Sequence, residues 1–515
     1  MSEVGVLIAA AAAATAILLP AGRARSAAML AALVLFPALI LGDQWHSHQI
    51  VDLRDDTGRF VALSVLALAV SVTLAAVFHR WPILMPLAIV AALPFRVPLH
   101  AGGDTANLLV PLYLVIAGGV LATAYRTWSS SRGKSPGGGA GAGGPRTDVS
   151  SRPPAGPPAT ATGPPGHFPL VWLPRILAAV VLLYALQTLY SPDFSKSLQN
   201  ACFFLVPFSL VFALLRDVEW DRRLLVGVLW VIGLEAVVFV AIGTVEYATR
   251  SLLWNDQVIR SNEFHTYFRV NSAFWDPNVY GRWLALAIVV AMAALLWARE
   301  RRDQALLTAL VAVLWIGLAP TFSQSSFIAL LAGLAILAAL RWSLRWTLAA
   351  VGAGAVAAVL VVLLAGGSSV NVSRINIDTS GRANLVSGGI HLFAQRPVYG
   401  YGAGSFPRAY REHVNTDEVP VSISHTEPIT VAAEQGVVGL AAYAALLVTA
   451  LWTMAGGLFT RPPPGGIVAR AAILAAFIAL LVHTMAYAGF YEDPITWVLL
   501  AVGLSLAKAP VRDGP

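Results

Sequence analysis

The sequence has little charge and almost no cysteine. Only 12% of its 515 residues are Asp, Glu, Lys or Arg, about half the share that is usual in soluble globular proteins. The single cysteine, Cys202, excludes an internal disulfide, an iron–sulfur cluster and a cysteine-based zinc site. Together these shortages exclude a cytosolic enzyme, a disordered scaffold and a disulfide-stapled secreted module.

Apolar residues fill the space that charge leaves. Hydrophobic residues make up 57% of the chain and the mean hydropathy is +0.71. Apolar runs recur from end to end, and most approach the roughly 20 residues that a helix needs to cross a bilayer. We predict an all-α fold, a polytopic transmembrane helix bundle of about 12–15 spans with membrane lipid as its main solvent.

The excess of basic residues predicts an orientation. The formal net charge is +7, and placing the amino terminus outside puts most Lys and Arg in cytoplasmic loops. The charge therefore indicates membrane topology rather than nucleic-acid binding, and we expect no nucleic-acid partner. On this topology a long loop, residues 366–428, lies on the outer side and carries short interfacial helices.

Composition divides the chain into segments. Residues 129–168 are rich in Ser, Gly and Pro, a composition that forms no packed core, and we predict a disordered cytoplasmic linker there. Residues 1–128 then form an amino-terminal transmembrane part of about five spans. Residues 169–509 form a second transmembrane domain, and 510–515 a carboxy-terminal tail.

Two outer segments carry polar residues suited to chemistry. Asp276-Pro277 and Thr426-Glu427-Pro428 are strong helix-start signals, a capping residue followed by proline in the first turn. His425 stands just before the second helix start, where the positive helix end and nearby arginines disfavour imidazolium. A neutral imidazole accepts a hydroxyl proton.

Two arginines complete the predicted site. Arg269 and Arg382 are permanent cations with planar donor forks that fit phosphate oxygens. Arg382, Val386 and Phe393 recur at helical spacing, which predicts a short amphipathic helix on the membrane surface. One base and two arginines are what glycosyl transfer from a lipid-linked diphosphate requires.

Each of these residues also has a plainer interpretation. A loop histidine is commonly a solvent-exposed or capping residue, and arginines at membrane interfaces commonly extend to lipid headgroups.

Ionisable residues inside predicted spans are costly in lipid and so are stronger indicators of function. Arg282 and Glu434 lie at similar shallow depth, and we expect an ion pair between them. Glu235, in mid-span, suits a proton path. No acidic group predicts a metal site.

The order of the motifs resembles the O-antigen ligase and polymerase superfamily of bacterial membrane proteins. The resemblance covers roughly residues 260–445. It rests on Arg269 followed by Asp276-Pro277-Asn278, then Thr321-Phe322-Ser323-Gln324-Ser325, Ser380-Gly381-Arg382, the segment 393–406 with Pro397 and its glycine-rich turn, Ser424-His425, and Glu434-Gln435-Gly436.

The resemblance implies a metal-independent, inverting glycosyltransferase without a cofactor. It would move a glycan from an undecaprenyl-diphosphate carrier to a glycan, lipid or protein acceptor at the outer face of the bacterial inner membrane. His425 matches the family's essential histidine, and Arg269 and Arg382 match its essential arginines. We assign supporting or substrate-binding roles to four further residues: Arg282, Glu434, Asn278 and Arg396.

Two other functions remain open at this point. Glu235 and the number of spans also suit a glycolipid transporter or flippase that forms no bond. A non-catalytic assembly partner, recruiting cytoplasmic components through residues 129–168, is the third hypothesis. Ligase, polymerase and protein oligosaccharyltransferase activities are not distinguished by these residues.

Overall fold

The structure is a computed structural model of the chain. It describes residues 2–45, 51, 56–101, 104–132, 168–264, 267–364, 382–414, 423–459 and 466–509. Most of the predicted linker, the whole tail 510–515, and residues 365–381 and 415–422 of the long loop lie outside the described residues. The division into two transmembrane parts therefore stays a prediction.

The described part is almost entirely helical. In chain order the elements are α1 (Ser2–Leu18), α2 (Arg23–Asp43), α3 (Thr57–Arg80), α4 (Leu84–Ala92), β1 (Val97–Ala101), β2 (Asp104–Leu108), α5 (Val110–Arg132), α6 (Phe168–Thr188), α7 (Phe194–Asn200), a π-helical turn (Ala201–Leu205), α8 (Val206–Leu215), α9 (Arg222–Thr249), α10 (Asp256–Phe264), α11 (Pro277–Trp297), α12 (Arg301–Leu318), a 3₁₀ turn (Ala319–Thr321), α13 (Gln324–Arg341), α14 (Leu344–Leu364), α15 (Arg382–Gln395), α16 (Phe406–His413), α17 (Glu427–Ala455), α18 (Ile467–Thr484) and α19 (Pro494–Lys508).

The fold is that of a multi-pass membrane protein, as predicted. Among the described residues, eleven helices are long and apolar enough to cross a membrane, and α1 and α19 are apolar but shorter. Helices satisfy their own backbone polar groups, which the hydrocarbon core of a bilayer demands. Strands β1 and β2 form a short antiparallel hairpin that pairs Val97 with Leu108, a small exception to the helical prediction.

One core joins both ends of the chain. Helix α1 packs against α2, α6 and α8, while α11 packs against α12, α13 and α18. Buried apolar side chains from α1 through α19 form a continuous cluster. The residues before the predicted linker are therefore packed directly on those that follow it.

A second, smaller core is separate from the main one. It consists of Leu392, Tyr401, Phe406, Ala409, Tyr410 and Ala433, from α15, α16 and the first part of α17. The predicted helix after Arg382 is confirmed as α15. Its buried residues are Gly388, Gly389 and Leu392, whereas Ile390, one turn after Val386, is exposed.

Helix α17 is kinked where the turn after α15 meets it. Gly436 has φ +64° and interrupts the helix. The freed backbone groups pair with the turn: Val437 N–H donates to the Pro397 carbonyl at 2.7 Å, and Gly402 N–H donates to the Glu434 carbonyl at 2.7 Å. A Cβ on Gly436 would lie 2.4 Å from the Val398 carbonyl oxygen, so only glycine allows this approach.

Candidate functional site

His425 is held in an unusual backbone conformation. Its φ is +62°, a region that non-glycine residues enter only when surrounding contacts impose it. Those contacts are present on both sides. Ser424 Oγ accepts the Thr426 N–H at 3.2 Å and lies 2.7 Å from Thr430 Oγ1, and Thr426 Oγ1 donates to the Met485 carbonyl at 3.1 Å. The segment is fixed to α17 and to the end of α18, so the imidazole is presented from a rigid support.

The imidazole of His425 is kept neutral. Burial, and after it the positive charge of Arg382, lower the pKa of His425 below its ordinary value of 6.5, while the negative charge of Asp276 acts in the opposite direction. Its Nδ1 is buried without a hydrogen-bond partner among the described residues. The sequence predicted a neutral imidazole from the helix end and the arginines. Burial is the larger cause.

Arg269 is anchored by hydrogen bonds at three points. Its Nε donates to the Thr321 carbonyl at 2.9 Å, and its Nη2 donates to Asn278 Oδ1 at 3.2 Å. The Asn262 side chain bonds the Arg269 N–H and carbonyl, both at 3.0 Å. Burial lowers the pKa of Arg269. The negative charge of Asp276 raises this pKa, and the positive charge of Arg382 lowers it further. The guanidinium remains a cation in a fixed position.

Arg382 connects the other two predicted site residues. It is the first residue of α15 and is half-buried. Its positive charge lowers the pKa of His425 and also that of Arg269. Such an influence fades beyond roughly 10 Å where solvent and salt intervene. The charge of Arg382 therefore acts on both residues, although the three stand far apart in the sequence.

A chain of polar groups runs behind the site. Asn278 Oδ1 accepts a hydrogen bond from the Ser323 hydroxyl at 2.9 Å, and Ser323 Oγ lies 3.2 Å from Ser325 Oγ. Ser325 Oγ lies 3.2 Å from Nε2 of His483, and the His483 ring is 5.8 Å from the ring of Tyr487. Ring centroids of Tyr487 and His425 are 6.2 Å apart. Contacts therefore continue from the Arg269 partner Asn278 to His425.

Asp276 provides a negative charge near His425 and Arg269. Its Oδ1 accepts the Asn278 N–H at 2.6 Å and caps α11. Burial, and after it the negative charge of Asp276, raise the pKa of the Tyr487 hydroxyl. The charge of Asp276 also acts on both His425 and Arg269. The sequence indicated only the capping role of Asp276 and gave no signal for Tyr487, which lies in an irregular segment after α18.

The predicted ion pair between Arg282 and Glu434 is wrong. Arg282 pairs instead with Asp493, at 2.8 Å between Nη2 and Oδ2, and both side chains are buried. Asp493 also caps α19, through Oδ1 and the Ile495 N–H at 2.9 Å. Equal depth in the membrane suggested the wrong partner because depth does not determine which helices are neighbours.

Glu434 binds backbone amides. Its carboxylate accepts the Gly404 N–H at 2.9 Å and the Phe406 N–H at 3.0 Å. It therefore fastens the turn between α15 and α16 to α17. Glu427 does the same for the segment after α18, accepting the Gly489 N–H at 2.7 Å and the Phe490 N–H at 3.0 Å.

Arg396 takes no part in the contacts around His425. Its guanidinium lies over the ring of Tyr401, 4.3 Å from the centroid, and the residue is exposed. Among the described contacts, none joins it to His425, Arg269 or Arg382. Asn278, by contrast, bonds Arg269 directly, so one predicted supporting residue lies at the site and another lies away from it.

Comparison with known proteins agrees with the motif order. Residues 309–444, from within α12 to within α17, match a family model described as O-antigen ligase. The resemblance to the O-antigen ligase superfamily is thereby confirmed. A search among curated proteins found no match. The family match supports a general role in glycan ligation or polymerisation at a membrane.

Proposed function

We propose that this chain, whose residues 309–444 match the O-antigen ligase family, transfers a glycan from an undecaprenyl-diphosphate carrier to an acceptor hydroxyl at the outer face of the bacterial inner membrane. The reaction needs neither a metal nor a cofactor. It inverts the configuration of the transferred sugar, because acceptor and leaving group occupy opposite sides of the anomeric carbon.

His425 is the general base in this proposal. Its neutral imidazole takes the proton of the acceptor hydroxyl as the acceptor oxygen bonds to the anomeric carbon. The bond from that carbon to the diphosphate oxygen breaks, and its electron pair leaves with the lipid diphosphate. The lowered pKa of His425 supports this role, since an imidazolium has no lone pair for the proton.

Arg269 and Arg382 stabilise the departing diphosphate. Two guanidinium groups provide fixed positive charge where negative charge develops, which is commonly the largest electrostatic contribution to such catalysis. The bonds from Arg269 to Thr321 and Asn278 support preorganisation of one of them. Asn278 holds Arg269, while the Arg282–Asp493 pair and Glu434 hold the segments that carry the site.

One observation supports the proposal above the others. Arg382 influences both His425 and Arg269, although the three residues come from a loop before α11, the start of α15 and a loop before α17. The positive charge of Arg382 disfavours the cation at Arg269, and an anionic ligand at the site opposes that effect. The observation favours a phosphate-bearing substrate.

The decisive experiment uses purified protein in detergent with an undecaprenyl-diphosphate oligosaccharide and candidate acceptors. Release of the lipid diphosphate and formation of the new glycosidic bond are both measured. We expect His425→Ala to abolish transfer, and Arg269→Gln and Arg382→Gln each to reduce it by about 100-fold, a typical loss for one charge-stabilising donor.

Matched variants control for surface effects. His391→Ala and Arg411→Gln remove an exposed histidine and an exposed arginine of the same outer segment and should leave transfer unchanged. Full transfer by folded His425→Ala would remove the proposed base. Movement of the glycolipid across sealed vesicles without a new bond would instead establish a transporter.

A further inference from the structure

An apolar cavity lies inside the bundle, apart from the site around His425. Its volume is about 470 Å³, within the roughly 300–1,000 Å³ of small-molecule sites in general. Helices α9, α11, α18 and α19 form its walls. Almost every lining side chain is aliphatic or aromatic, so the cavity fits a hydrocarbon chain.

The cavity extends from Trp283 and Ile495, near the helix starts on the side of the site, to the opposite end of the bundle. Helix α11 begins at the site with Asn278, and Ala294 near its other end lines the cavity together with Arg222, the first residue of α9. Arg222 is exposed, and Val226 one turn along is 45% exposed. The mouth therefore has a cation at its rim and an apolar side entrance.

The depth of the cavity matches one leaflet of a bilayer. Lining residues of α11 extend from Trp283 to Ala294, which at the rise of an α-helix is about 16 Å. Half of a hydrocarbon core of about 30 Å is 15 Å. The cavity is therefore long enough to hold the acyl chain of one leaflet.

Two buried hydrogen-bond donors line the cavity without acceptors. Trp220, beside the mouth, is 6% exposed and Trp283, at the far end, is 5% exposed. The indole N–H of each has no hydrogen-bond partner among the described residues. Buried N–H groups are rarely left unpaired, so at least the one at the mouth indicates a ligand that brings an acceptor oxygen.

We propose that the cavity binds one acyl chain of an anionic phospholipid from the leaflet opposite the catalytic site. The chain lies along α11, the phosphate pairs with Arg222, and an ester carbonyl oxygen accepts the Trp220 N–H. Basic pockets between membrane helices commonly bind anionic headgroups in this way. The choice of phospholipid over the polyprenyl carrier rests on the proposed function.

Charge and position favour a phospholipid over two other occupants. The polyprenyl carrier presents its diphosphate at the site around His425, whereas the cavity opens at the opposite end of α11. A helix of a second copy of the chain would leave the Trp220 donor unpaired, because helices use their own backbone carbonyls.

Native mass spectrometry of delipidated protein tests the proposal. Dioleoyl phosphatidylglycerol and dioleoyl phosphatidylcholine, which share acyl chains, are added separately at equal concentrations. We expect one phosphatidylglycerol to bind more tightly than any phosphatidylcholine. Arg222→Gln should weaken it about fivefold, the worth of one basic residue near an anionic surface, and Trp220→Phe by a similar factor through the lost hydrogen bond.

Blocking the cavity gives the structural control. Val226→Trp places a large ring in the mouth and should abolish tight binding. Val238→Trp, at a 48% exposed position of α9 that does not line the cavity, should leave tight binding intact. Trp230→Phe is the matched control for Trp220→Phe. Equal loss in Val226→Trp and Val238→Trp would overturn the proposal. So would equal binding of both lipids, or displacement of phosphatidylglycerol by undecaprenyl phosphate.

Discussion

The guanidinium of Arg282 and the carboxylate of Asp493 form an ion pair at 2.8 Å, with 5% and 3% of the two side chains exposed. The pair joins α11, which begins at the site, to the start of α19. Removing one partner of a buried pair leaves an uncompensated charge, which costs far more than the pair itself contributes.

We therefore expect Asp493→Asn to destabilise the protein by about 3–5 kcal/mol. Asparagine can still cap α19, so the loss measures the charge and not the cap. Unfolding in detergent by heat or denaturant gives the change, and adding Arg282→Gln should recover a substantial part of it. Glu412→Gln, which breaks the exposed pair with Arg408, should leave the unfolding midpoint unchanged. An equal midpoint for Asp493→Asn and Glu412→Gln would contradict the prediction.

The pH dependence of transfer follows from His425. Burial and then Arg382 lower its pKa below 6.5, so the neutral base persists to lower pH than an ordinary histidine. Activity should fall only when the pH drops through that lowered pKa. Asp276 raises the pKa of His425, and Asp276→Asn should therefore shift the acidic fall of kcat/KM to lower pH. His391→Ala should leave this pH profile unchanged. A fall of kcat/KM with its midpoint above pH 6.5 would count against His425 as the base.

Tyr487 is expected to position His425. Tyr487→Phe keeps the ring beside the imidazole but removes the hydroxyl, whose pKa the charge of Asp276 raises. We expect kcat to fall by up to about tenfold, the size of one lost polar interaction, with little change in KM. Tyr487→Ala, which also removes the ring, should cost more. Tyr399→Phe, at an exposed tyrosine, serves as the control. Equal kcat for Tyr487→Phe and the unaltered protein would exclude this role.

The kink of α17 should not tolerate a side chain. Gly436→Ala would combine φ +64° with a Cβ 2.4 Å from the Val398 carbonyl oxygen, and we expect about 1–3 kcal/mol of destabilisation. Gly352→Ala is the matched control, since a Cβ there has nothing within 4 Å in the described structure and alanine favours a helix. Thermal unfolding of both variants separates the two cases. Similar midpoints would show that the turn adapts.

Much of the fold could be predicted from the sequence. Apolar runs and scarce charge indicated a helical membrane protein because lipid accepts few other structures. Local capping signals placed the starts of α11 and α17 at Asp276-Pro277 and at Thr426. The motif order identified the ligase resemblance, and Arg269, Arg382 and His425 came from it.

The partners of buried charges could not be predicted in the same way. Arg282 had several carboxylates at comparable depth, and only the packing of α11 beside the loop before α19 selected Asp493. Tyr487 belongs to no motif. Asp276 was predicted only as a helix cap because His425, on which its charge also acts, is distant in sequence.

The sequence by itself determined that the chain is a helical membrane protein, where its main helices begin, and which three residues are candidates for chemistry. These depend on hydropathy and on hydrogen bonds between neighbours in the chain. Only the tertiary structure decided that Glu434 holds the turn before α16, that Asp493 neutralises Arg282, and that the ring of Tyr487 lies beside that of His425. Such pairings depend on which helices pack together, and that is a property of the whole fold.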